Sequence, residues 1–253
     1  MKTPGMLRLF ERQPEPAHLD ITHNGEVYRV ALKRSPRSRR FTLRVRTATR
    51  DVLLTAPTRA PLKAAREFAE RHSAWIGVRL ARLPHLVAFE PSAVAPLRGV
   101  DHRIVHRPGA HGVVWLEKGE TGPLICVAGE RPHVPRRVAD FLKREAGKDI
   151  EAAVKRYAKA IGATPKRIAV RDTVSRWGSC SSTGGLSFSW RLILAPPFVL
   201  DYLAAHEVAH LIHLNHSPRY WTLLRRACPD TDRAENWLKV HGASLHRFGA
   251  ARG

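Results

Sequence analysis

The chain has 253 residues, of which 43 are Lys or Arg and 22 are Asp or Glu, for a formal net charge of +21. That length fits one large domain or two small ones with a packed core, and the charge favours polyanionic partners such as nucleic acid or nucleotides unless the basic face is merely solvated. Cys126, Cys180 and Cys228 are widely spaced and form no CxxC pair, which excludes a disulfide framework and fits a reducing compartment.

In chain order, residues 1–19 are rich in Pro and charge and read as a flexible leader with no continuous apolar stretch of the secretory kind. A run of about 18 apolar residues is also lacking, so the expected setting is cytoplasmic, with no membrane partner. Glu26–Leu32, Phe41–Arg46 and Val52–Ala56 alternate at period two and predict half-buried strands. The basic loop Lys33–Arg40 between the first two could grip phosphates through guanidinium forks or be a solvated turn. Pro61–Leu83 has helical spacing, opened by Pro61 and stopped before Pro84. From His85 to Pro132, short β-like runs around Ile104, Val114 and Ile125 alternate with turn clusters. No internal repeat stands out.

Val134–Ile161 returns to helical periodicity and stops at Gly162. The composition change at Arg131–Pro135 is the expected domain boundary. It separates a β-rich N-terminal lobe with one helix (residues 20–132) from a C-terminal domain (residues 133–248). In that domain Arg167–Arg171 and Leu186–Trp190 predict strands, and the latter could be a sheet edge that aligns an extended peptide or an ordinary core strand. Pro196–Pro197 starts a helix that should end between His213 and Asn215. Asn tolerates the left-handed region, which would fold the chain back there. Two further helices, Pro218–Ala227 and Thr231–Leu245, follow. The expected class is α+β.

His206-Glu207-Val208-Ala209-His210 carries the chemistry. At i and i+4 on a helix, two imidazoles leave one face and can converge on a cation. Glu207 is offset by about 100°, near the cation's open position, where it can take a proton from water. The nearest third ligand is His216, with His213 and Glu235 as rivals. His213 suits a solvent-facing or supporting role equally well. The spacing mimics the metzincins, but His213 replaces their glycine and the only methionines are Met1 and Met6, which leaves no Met-turn. Trp177-Gly178-Ser179-Cys180 lacks a Gly-x-Ser-x-Gly elbow and reads as a tight turn, although Cys180 could approach the metal as an inhibitory thiolate. Tyr220 either donates to an oxyanion or simply packs.

Ser175-Arg176-Trp177-Gly178-Ser179-Cys180, Leu186 to Pro196, His206-Glu207-x-x-His210 and Asn215-His216-Ser217-x-x-Tyr220-Trp221 together resemble the YgjP-like (SprT-like) metallopeptidases. The likeness runs from about Arg39 to the last helix, with its specific motifs in the C-terminal half. It implies a zincin-like domain, a bound Zn2+ and hydrolase activity, with His206, His210 and His216 as metal ligands and Glu207 as the catalytic residue. Tyr220 stands where relatives commonly have Phe. Three functions follow. The first is a zinc peptidase acting on protein or peptide, near nucleic acid as some SprT-like relatives do. The second is a metal-dependent nucleoside triphosphate pyrophosphohydrolase. The third is a nucleic-acid-binding module with structural zinc, which would leave Glu207 idle.

Overall fold

A computed structural model describes residues 15–46, 49–83 and 85–249. The chain divides into two compact units, Met1–Leu83 and Pro84–Gly253. The class is α+β, with three small sheets among the described residues. No helix among the described residues is long and apolar enough to cross a membrane.

The first unit holds strands β1 (His18–His23), β2 (Glu26–Ser35), β3 (Thr42–Val45) and β4 (Val52–Pro57), in the order β1-β2-β4-β3. Asn24 and Gly25 close the first hairpin with φ of 50° and 82°, the two positive values that a type I′ turn requires and Asn-Gly supplies. Leu19, Ile21, Val30 and Leu54 bury their side chains against Ala65, Ala69 and Ile76 of helices α1 (Leu62–Arg71) and α2 (Ser73–Ala81). Of the expected leader, residues 1–14 lie outside the described residues, while His18 and Leu19 already belong to β1. The single helix expected over Pro61–Leu83 is two helices. At His72 the backbone leaves helical values (φ −105°, ψ 11°), and its ring Nδ1 sits 2.8 Å from the Phe68 carbonyl that an uninterrupted helix would give to a backbone N–H.

The second unit begins with β5 (Val94–Leu97), β6 (Val100–Arg107), β7 (Val114–Gly119) and β8 (Gly122–Ala128), in the order β5-β6-β8-β7. The first sheet's plan recurs here. A hairpin closed by two positive-φ residues, Arg98 and Gly99, precedes a strand that runs parallel to the fourth, and the third pairs antiparallel with the fourth. No motif shared by the two stretches announced this repeat. Ile104, Ile125 and Val127 share one core with Val134, Val138 and Leu142 of α3 (Val134–Ile161). The compact units therefore divide at Leu83, upstream of the composition change at Arg131–Pro135, because this sheet packs on α3. Arg98 forks onto Asp149 of α3, with both N···O distances 2.7 Å, and reaches Glu145 at 2.9 Å. Planar bidentate pairing of this kind holds a hairpin to a helix in one register. Gly162 ends α3 in the left-handed conformation (φ 70°).

The third sheet contains β9 (Arg167–Arg171), β10 (Gly178–Cys180) and β11 (Gly185–Ser189), ordered β10-β11-β9. β11 is thus central, paired antiparallel to β10 and parallel to β9. With both its edges occupied, it cannot be the free edge considered for Leu186–Trp190, and the segment expected to be a tight turn supplies an edge strand instead. A buried 3-10 turn, Trp190–Leu194, leads into α4 (Pro197–Ala209), followed by α5 (Pro218–Ala227) and α6 (Thr231–Leu245). α4 packs against α3, α5, α6 and β10. That surround explains why it is apolar nearly all round, as a central helix must be. Cys126, Cys180 and Cys228 are free thiols.

Candidate metal centre

α4 starts at a proline pair, whose missing N–H groups cost nothing in a first turn. It ends at Ala209, earlier than expected, with His210 as its C-cap. The chain continues as a tightened turn in which Leu211 and Ile212 donate to the carbonyls of Val208 and Ala209 at 3.0 and 3.1 Å. His206 and His210 therefore still emerge one turn apart. The reversal to His216 uses no left-handed Asn215, since the positive-φ non-glycine residues described are Asn24, Arg50, Ser92 and Arg98. Ser217 instead caps α5 in extended conformation, its Oγ accepting from the Tyr220 N–H at 3.4 Å. That cap fixes His216 at the mouth of the turn.

One nitrogen from each of His206, His210 and His216 lies within 4.8 Å of the others. The Nε2 atoms of His206 and His216 are 3.4 Å apart. Tetrahedral zinc with Zn–N of about 2.0–2.1 Å spaces its ligand atoms by roughly 3.3–3.4 Å, so this separation fits a shared ion. Second partners fix the rings. His210 Nδ1 is 2.9 Å from the His213 carbonyl, so it carries the proton and leaves Nε2 free. The contribution of His213 is this backbone oxygen, and its ring is not part of the cluster. His206 Nδ1 is 3.3 Å from Tyr202 Oη, which donates to Glu235 Oε1 at 3.0 Å. Glu235 is engaged through Tyr202 and stands outside the nitrogen cluster. Desolvation and the neighbouring imidazoles push His206 down to about 4, and burial also lowers His210. Both are neutral near pH 7, as ligation requires. Three imidazoles form a donor set suited to zinc.

Tyr220 is fully buried and stacks on His210, with centroids 4.6 Å apart and planes 26° from parallel. Its hydroxyl donates to the His206 carbonyl at 3.2 Å. Packing against His210 and support of α4 thus fix its position. Glu207 is 4% exposed and faces Gly178 of β10, where an added Cβ would stand 2.4 Å from Oε1. Burial raises its carboxyl to about 7, with Arg176 pulling the other way. A divalent cation beside it would lower it further. Cys180 is half-buried, its thiol donates toward the Ser181 carbonyl at 3.5 Å, and burial together with Glu207 raises its pKa. It stands outside the nitrogen cluster. Trp177 stacks on His246 at 4.9 Å and covers Gly242.

Sequence reasoning missed the Tyr202–Glu235 support and the nearness of Arg176 to Glu207. Tyr202 lies one turn before His206, a spacing that could have flagged its contact with that ring though not the one with Glu235. The nearness of Arg176 depends on how the segment before β10 meets α4 and has no local signal.

The family model described as YgjP-like, metallopeptidase domain, matches residues 39–241. No curated protein matches the chain. Among solved structures, the metallopeptidase zymogen of Pyrococcus abyssi abylysin is similar, at 19% identity over 36% of this chain and 95% of its own, with a TM-score of 0.31. A likeness that slight adds nothing to the fold described above.

Proposed function

Since the chain belongs to the YgjP-like metallopeptidase family, we propose that it is a zinc-dependent peptidase in which His206, His210 and His216 hold the metal and Glu207 moves the proton. The observation that carries this reading is the convergence of three imidazole nitrogens within 4.8 Å, on a helix in which Glu207, the residue after His206, is a buried carboxyl. When bound, zinc supplies Lewis acidity that lowers the pKa of water and polarises an amide carbonyl. The chain's own groups do the rest. Glu207 accepts a proton from water on a carboxylate oxygen and returns it to the departing amine, a shuttle served best by a carboxyl whose pKa lies near the working pH.

β10 offers the alignment that β11 cannot. Ser189 N–H donates to the Trp177 carbonyl and Ser181 N–H to the Gly185 carbonyl, each at 2.8 Å. In an antiparallel ladder bonded and non-bonded pairs alternate, so the N–H and C=O of Gly178 and Cys180 point away from β11. An extended peptide can add to that edge, one strand from Glu207.

The test is zinc content by mass spectrometry combined with casein cleavage. Wild type should bind one zinc and cleave, Glu207→Gln should bind zinc with at least about a hundredfold loss of rate, and His210→Ala should lose both. Unimpaired cleavage by Glu207→Gln would sink the assignment.

A further inference from the structure

A cleft of about 700 Å³ lies over the outer face of the third sheet, and its lining includes Lys166, Arg167, Arg171 and Arg176 but no carboxylate. The register explains how it is built. Ile168 and Val170 turn inward to the core, so Arg167, Ala169 and Arg171 face outward along β9. Across the sheet, Ala169 pairs with Ser187 and Ser187 with Ser179, which makes a floor of small side chains between the cations. Several other arginines of this unit do meet acids: Arg98 pairs with Asp149 and Glu145, Arg156 with Asp201, and Arg191 with Asp172. Among the described residues, the four cleft cations make no ion pair with the chain's own carboxylates. A set of like charges left unneutralised around a hydroxyl-bearing trough is repulsive in the free protein and is relieved by an anionic occupant. The cleft also reaches the strand that faces the proposed catalytic group, because Ser179 and Cys180 of β10 line it and Gly178 of the same strand lies against Glu207.

Resting on the peptidase reading of this site, we infer that the trough selects polypeptide segments rich in Asp and Glu, laid over the outer face of the third sheet with their carboxylates on Arg167, Arg171, Arg176 and Lys166. Guanidinium forks and serine hydroxyls match carboxylate oxygens. A nucleic-acid strand fits less well, because no aromatic side chain lines the cleft to stack a base.

The test separates binding from turnover. Fluorescent peptides of equal length carrying a run of Glu, Lys or Ser are titrated by anisotropy against the full-length Glu207→Gln protein, and the same peptides are offered to the zinc-loaded wild type for cleavage. The Glu peptide should bind at least about tenfold more tightly than the Ser peptide, weaken in 0.5 M salt (roughly a 4 Å screening length), and lose its advantage in Arg167→Glu/Arg171→Glu. The milder Arg167→Gln/Arg171→Gln should lie between, with an unchanged circular dichroism spectrum showing that the fold persists. Equal binding of the three peptides, or a Glu advantage that survives charge reversal, overturns the trough assignment even if all are cleaved. Tight, trough-dependent binding without cleavage leaves the trough standing and overturns the peptidase reading. A single-stranded oligonucleotide that displaces the Glu peptide and binds more tightly through the same arginines assigns the trough to nucleic acid and overturns the inference.

Discussion

At the scale of single residues, the metal cluster depends on groups that would never touch the metal. Tyr202 links His206 to Glu235 and so holds the proton on Nδ1 and the lone pair on Nε2. Removing such a link typically costs about 10–100-fold in metal affinity. Tyr202→Phe should therefore weaken zinc binding by roughly that factor in competition with a chromogenic chelator, and Glu235→Gln should weaken it less, since Gln still offers an acceptor to the phenol. Equal affinity in Tyr202→Phe and wild type would show the contact to be incidental. Gly178 matters for a steric reason. Its φ is not positive, so alanine suits its backbone, yet a Cβ would stand 2.4 Å from Glu207 Oε1 and must push the carboxyl aside. Displacing a reacting group by about 1 Å can cost a hundredfold in rate. Gly178→Ala should thus lose about that much kcat with zinc affinity and melting temperature nearly unchanged, whereas a fall in stability with normal turnover would make Gly178 merely structural. The His206, Glu207 and His210 positions were legible in sequence because ligation imposes i and i+4 spacing. Tyr202–Glu235 was not, because it joins residues 33 apart through the packing of α6 on α4.

At the scale of elements, the end of α6 is held by buried polar groups that respond to pH. Arg191 donates to the carbonyls of Leu245 and Phe248 and pairs with Asp172, and beside it His246 stacks on Trp177 with its Nδ1 buried and unpartnered among the described residues. Burial, then the Arg191 charge, lowers the His246 pKa, with Asp172 opposing. Below the unfolded value of about 6.5 the unfolded chain binds a proton that the folded chain resists. The contribution of neutral His246 is therefore complete above that pH and lost as pH falls from about 6.5 toward the lowered folded value. His206 and His210 add to the same trend in metal-free protein. Urea unfolding of metal-free wild type should show stability falling from pH 7 to 5, and His246→Phe, which keeps the stacking face, should flatten part of that slope. Identical slopes would remove His246 from the account. Long elements were the legible ones. α3 runs 28 residues with one buried stripe and a glycine stop, so periodicity accumulated over several turns. β5 and β10 have only four and three residues, too few for any period to register, and the break at His72 came from a local ring-to-carbonyl contact.

For the whole molecule, the two hydrophobic clusters share no residue. One joins Leu19, Ile21, Val30, Leu54 and Ile76, and the other runs from Phe89 to Phe248 around α3 and α4. The division was hidden in sequence because both units open with the same four-strand plan, and composition changes only after the second copy, at the start of α3. Every nitrogen of the metal cluster belongs to the second unit. A ligand that binds only the native state stabilises that state by RT ln(1 + [L]/Kd), about 2.7 kcal/mol at a hundred times Kd. The stabilisation falls on the segment whose unfolding destroys the site. Amide hydrogen exchange read peptide by peptide should accordingly slow by up to about a hundredfold in α3, α4 and α6 when free zinc is raised from zero to a hundred times Kd. Peptides from β1 to α2 should exchange as before, and His216→Ala should abolish the difference between zinc and chelator. Slowing of equal size in both units would mean that they unfold as one, and no slowing in either would mean that the three imidazoles do not bind the ion as native-state ligands.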